Sequence, residues 1–182
     1  MKRWQALKLE DLSEDTKAVF DTLNEGSDLA CVLIGTSYLA ELLASTIKVS
    51  FIESSVSEKL LDPQRGAIGG LATRADLAYC LGLINKAVYQ DIIRVAEIRN
   101  MFAHKHLALD FGDNTVGKAC DELQAWRLVL LGEEEEVPVD PTPRQRQMRA
   151  RNQFKLSVVL MGTRIHVDAL SKRVQSKKEK PV

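Results

Sequence analysis

Residues 86–104 read KAVYQDIIRVAEIRNMFAH, and their spacing decides the fold class. On a wheel advancing about 100° per residue, Val88, Ile92, Val95, Ala96, Phe102 and Ala103 form one apolar stripe. Gln90, Arg94, Glu97 and Met101 face the other way. This is the period of an amphipathic helix. Arg99 falls near the middle of the stripe, while Asn100 and His104, four apart, share a flank. A buried guanidinium is costly unless paired. The spacing therefore predicts that a carboxylate meets Arg99 inside the molecule, with Glu41 and Asp76 as candidates, or that the stripe lines a cleft there.

The rest of the chain carries the same period, and no segment alternates as a strand does. A first helix is expected from Ser13 to Asn24, ending at Gly26, a natural left-handed cap. Ser27 or Asp28 then caps a long apolar helix, DLACVLIGTSYLAELLASTIKVSF. Glu41, Lys48 and several hydroxyl residues interrupt it, so it reads as a core helix rather than a membrane span. A short helix at 57–61 leads into DPQRGAIGG, a loop that lacks the GK[ST] ending of a phosphate-binding loop. Further helices are expected at 73–83, at 86–104 after an Asn85 cap, and from Asn114 or Thr115 to Leu131. The fold class is all-α, a helical bundle.

Domain organisation follows composition. Residues 1–131 form a helical core. Residues 132–143, GEEEEVPVDPTP, read as an acidic, proline-interrupted linker. Residues 144–173 form a C-terminal helix packing on the core, and 174–182 a frayed tail. That helix is basic, with Arg144, Arg146, Arg149, Arg151 and Lys155 leading it. Phe154, Val158, Met161, Ile165 and Ala169 make an inward stripe on the same helix. Its basic face suits RNA phosphates or a protein partner, or it pairs with Glu133–Glu136.

The whole chain balances 25 basic against 25 acidic residues, so charge exerts no overall pull toward nucleic acid or membrane. Three widely spaced cysteines, Cys31, Cys80 and Cys120, form no CxxC pair and read as buried thiols of a reducing cytosol. The N-terminal MKRWQALKLEDLSEDTK has no apolar signal region, and a soluble cytoplasmic protein is expected. HKHLALD offers His104, His106 and Asp110, too few convergent ligands for zinc, so neither metal nor cofactor is implied. His166 sits in an apolar segment and reads as structural.

Arg99, Asn100 and His104 also suit one chemistry. RNA is cleaved without metal if one group takes the 2′-hydroxyl proton, another protonates the leaving oxygen, and a cation steadies the phosphorus centre. Histidine fits the proton transfers and arginine the phosphate, while Asn100 sits where it can orient the imidazole. Positions five apart point about 140° away from each other, however. A composite site would need two copies across a two-fold axis.

The block GAIGGLATRADLAYCLGLINKAVYQDIIRVAEIRNMFAH resembles the central part of the mannitol operon repressor (MltR) family. A glycine loop, R..LAY.LGLI and IRN.FAH carry the likeness, which covers residues 20–173. RNMFAH is also similar to the Arg-x4-His motif of the HEPN superfamily. That superfamily is helical, dimeric and rich in metal-independent ribonucleases. The first resemblance implies a transcriptional regulator. No helix-turn-helix pair with a basic recognition helix is visible, so sequence-specific DNA reading is not expected and a protein partner is. The second implies a HEPN-like core, a homodimer and an endoribonuclease using Arg99, Asn100 and His104.

Overall fold

A computed structural model describes residues 14–104, 109–128 and 140–178. Seven α-helices run among the described residues: α1 Glu14–Asn24, α2 Asp28–Lys48, α3 Ser55–Leu61, α4 Leu71–Cys80, α5 Lys86–His104, α6 Asn114–Asp121 and α7 Pro143–Lys178. The molecule is all-α, as its periodicity requires.

Local chemistry sets most boundaries. Gly26 takes φ 87° between α1 and α2. Ser27 caps α2 through the Ala30 amide, and Asn85 Oδ1 accepts from Val88 N at 3.0 Å at the start of α5. The α4 boundaries differ from those expected: it begins at Leu71 and ends at Cys80, where Leu81 and Gly82 turn back onto its last carbonyls. Gly82 has φ 63° there.

α6 stops at Asp121 rather than continuing to Leu131, and one 3-10 turn follows at Ala125–Leu128. The cause lies on another helix. The carboxylate of Asp91, on α5, accepts from Gln124 N at 2.9 Å and Ala125 N at 2.7 Å. Those amides are thereby capped from outside, and a new turn starts in place of a continued helix. Burial pushes the Asp91 carboxyl up, against the opposing pull of these two amides.

α7 is the centre of the molecule, not an addition to one face. Every residue from Gln153 to Gly162 is buried, including Leu156, Val159 and Leu160 outside the expected inward stripe. α2, α6, the 3-10 turn, α1 and α5 all pack against it. Phe154 anchors an aromatic chain, with Phe111 at 5.5 Å and Phe102 beyond it at 5.6 Å. α2 comes close because Gly35 faces Phe154 and Val158, and Gly162 faces Tyr38. The helix continues to Lys178, past the boundary expected near Arg173.

α2 is long and apolar enough to cross a membrane by length and composition alone. Cys31, Val32, Leu39, Leu43 and Ile47 are nonetheless wholly buried in the helical core. Its hydrophobicity is used in packing against α7 and α4.

Candidate functional site

The buried face of α5 consists of Val88, Asp91, Ile92, Val95, Ile98 and Phe102. At the level of Arg99 the helix faces inward through Val95, Ile98 and Phe102. Arg99 lies about 70° from the middle of that trio at 100° per residue. Arg99 is exposed, correcting the expectation of a paired or cleft-lining arginine. Ala96 and Ala103 widen the apparent stripe, yet Ala96 is only half-buried and Ala103 exposed. A methyl group is too small to decide which way a helix faces.

Arg99 donates to Asn100 Oδ1 at 3.2 Å. Neither proposed carboxylate meets it. Asp76 accepts from Tyr89 Oη at 3.0 Å, and exposed Glu41 acts on another arginine, Arg74. Asn100 and His104 are exposed as well. His106 lies outside the described residues. Among the described residues no group of three His, Cys, Asp or Glu is placed to hold a metal.

The buried arginine is Arg74, which helical periodicity does not single out within R..LAY. It is 3% exposed. Its guanidinium donates to Ile68 O at 2.9 Å, Ala40 O at 2.8 Å and Leu61 O at 2.5 Å. Burial lowers its pKa while Glu41 raises it. Three carbonyls offset the desolvation, and the side chain ties the 62–70 loop to α2. That loop closes tightly: a Cβ on Gly66 would lie 2.3 Å from Leu60 O and 2.6 Å from Asp62 O. Gly66 and Arg74, both within the stretch that carries the family likeness, thus serve the architecture.

The basic start of α7 divides in two. Arg151 and Lys155 face inward. Arg151 donates to Asp28 Oδ1 at 2.8 Å and to the Leu23, Asn24 and Gly26 carbonyls that end α1. Lys155 bonds Asn24 Oδ1 and lies over the Phe20 ring at 5.4 Å. Arg144, Arg146 and Arg149 remain exposed; Arg146 donates to Pro141 O at 2.8 Å and Arg149 lies 3.5 Å from Asp121. His166 is exposed, not structural. Cys80 is exposed while Cys31 and Cys120 are buried, so the expectation of three buried thiols holds for two.

The apolar surface carries two groups that the sequence did not reveal. Val49, Ile52 and Val56 project at the α2–α3 corner, Ile52 with 87% of its surface exposed. Tyr79 stacks on Tyr89 at 4.9 Å across α4 and α5, with Leu81 exposed nearby in sequence.

The model of the MtlR family, described as mannitol repressor, matches residues 15–166. The chain belongs to this family. Among solved structures it is similar to a chain of the MtlR–HPr complex from Escherichia coli, at 24% identity and TM-score 0.64, covering 84% of this chain and 99% of that one. It is also similar to a possible transcriptional regulator, YggD from Shigella flexneri. That match has 14% identity and TM-score 0.63, and covers 82% of this chain and 97% of the other. No curated protein matches the chain. The mannitol repressor family and both structural likenesses agree with the helical architecture.

Proposed function

We propose that the chain is a regulatory protein of the mannitol repressor family that works in the cytoplasm by docking a protein partner. Family membership over residues 15–166 supports regulation. The related chain seen in the MtlR–HPr complex makes an HPr protein the first partner to test. The observation that carries docking is the α2–α3 corner, where Val49, Ile52 and Val56 leave 53%, 87% and 64% of their surfaces exposed. Grouped exposed aliphatics are what a partner covers. Calorimetric titration of HPr into the purified chain tests this, with Ile52→Asp as the variant. Binding lost in the variant is the expected result. No heat with wild-type chain at high micromolar concentration removes HPr, and equal binding by Ile52→Asp removes the corner.

A homodimer belongs to the same proposal. Exposed Arg99 and Asn100 leave the outer side of α5 open to a second copy, with the two 95–106 segments brought together. Arg144, Arg146 and Arg149 are the exposed cations that an acidic partner or RNA would meet. Light scattering that gives a clean monomer at high micromolar concentration would remove the dimer.

A further inference from the structure

An open cleft of about 170 Å³ lies between the start of α7 and α6. It is lined by Lys118, Arg146 and Arg149 against Asp113 and Asp121. Both carboxylates are already engaged. Asp113 accepts from Thr115 N at 2.8 Å and Val116 N at 3.3 Å as the cap of α6. Asp121 Oδ1 accepts from Gln153 Nε2 at 2.9 Å and lies 3.5 Å from Arg149 Nη2. Lys118 has no ion partner among the described residues. The cleft is also bounded by Asp113 and Asn114 at the head of α6 and by Pro141 just ahead of α7. Each helix start adds partial positive charge.

Gln153 is the second observation. It lines the same cleft, is 4% exposed, and its side-chain Oε1 has no hydrogen-bond partner among the described residues. A buried amide oxygen without a donor is rare and costly. Its orientation is fixed, because the amide nitrogen faces the Asp121 carboxylate and the oxygen cannot take that place. The wall thus offers cations for an anion, and the solvent-shielded Gln153 oxygen beside it is an unused acceptor. Its volume lies well below the roughly 300–1,000 Å³ of sites for larger ligands.

We propose that this cleft binds a compact hydroxylated anion, a phosphorylated small polyol or sugar, with Arg146, Arg149 and Lys118 on the anion and Gln153 Oε1 accepting from a hydroxyl. Gln153 Oε1 is shielded from solvent in the unliganded chain, so binding includes a local opening beside the long Arg149–Asp121 contact that brings a ligand hydroxyl within reach of it. This proposal is independent of the docking corner.

The test is calorimetric and thermal-shift titration of the full chain with glycerol 3-phosphate, inorganic phosphate and glycerol, alongside Arg146→Ala/Arg149→Ala and Gln153→Met. Glycerol 3-phosphate is expected to bind saturably and more tightly than phosphate, with glycerol inert. The double arginine variant should lose about tenfold or more in affinity, the scale of charge-assisted hydrogen bonds. Gln153→Met should still bind phosphate but lose the preference for the hydroxylated ligand. Unliganded melting of each variant shows that it is folded. If a variant does not fold, amide shift mapping of wild-type chain reads the site directly, with the Gln153 side-chain amide expected to move. No saturable binding, or wild-type affinity in the double variant, overturns the proposal. So does an unmoved Gln153 amide.

Discussion

Arg151 Nη1 donates to Asp28 Oδ1 at 2.8 Å, joining α7 to the first turn of α2. The same carboxylate accepts from Phe111 N at 3.0 Å and Gln147 Nε2 at 2.8 Å. The Asp28 side chain is 9% exposed and that of Arg151 20%. Arg151→Ala removes the countercharge while two donors to Asp28 remain, and is expected to cost about 1.5–3 kcal/mol, the scale of hydrogen bonds to charged groups. Urea unfolding measures the loss. A change below about 1 kcal/mol, the scale of exposed pairs, would show that the carboxylate does not depend on this arginine.

Two glycines should respond in opposite directions. Gly66→Ala places a methyl group 2.3 Å from a backbone oxygen and is expected to destabilise by roughly 1–3 kcal/mol. Gly117, inside α6, has open space where a methyl group would stand, with nothing within 4 Å. Gly117→Ala should stabilise by about 0.5–1 kcal/mol, because alanine loses less backbone freedom in a helix. Thermal melts that shifted the same way in both variants would contradict this.

Thiol chemistry separates the cysteines. Cys80 should react quickly with an aromatic disulfide reagent in the native protein, and Cys31 and Cys120 only on unfolding. Burial pushes Cys31 up to about 11 and Cys120 up to about 12. The unfolded chain then releases these protons at lower pH than the folded one, so stability falls as pH rises from about 9 toward 11–12. A pH series of denaturation midpoints with Cys31→Ala/Cys120→Ala as control should show a flatter alkaline limb in the control.

Arg99→Ala and His104→Ala should each change stability by no more than about 0.5 kcal/mol, the range of ordinary surface substitutions. Wild-type protein is expected to leave structured and unstructured RNA intact over hours in EDTA. Cleavage that disappears with His104→Ala would establish the ribonuclease reading of this motif instead.

The helical class, the α2 and α5 starts and the glycine loop are legible because each depends on neighbours in sequence: apolar period, cap residues, and the freedom of glycine. The resemblance adds the family, and the match over residues 15–166 bears it out. Arg99 misleads because two alanines imitate an apolar stripe on a wheel while covering almost nothing in space. Arg74 escapes notice because three carbonyls, not a carboxylate, satisfy it, and a sequence does not display distant carbonyls.

By itself, then, the sequence determined an all-α chain with its helices largely in the right places, since those depend on contacts within a few residues. Only the tertiary structure decided that α7 runs through the centre, that Arg151 and Lys155 close the core while Arg146 and Arg149 edge a cleft, and that α6 ends at Asp121. Each of those outcomes joins residues far apart in the chain. Asp28 meets Arg151 across 123 positions, and Asp91 caps Ala125 across 34. Burial and pairing at such separations are properties of packed helices, and one helix's pattern does not contain them.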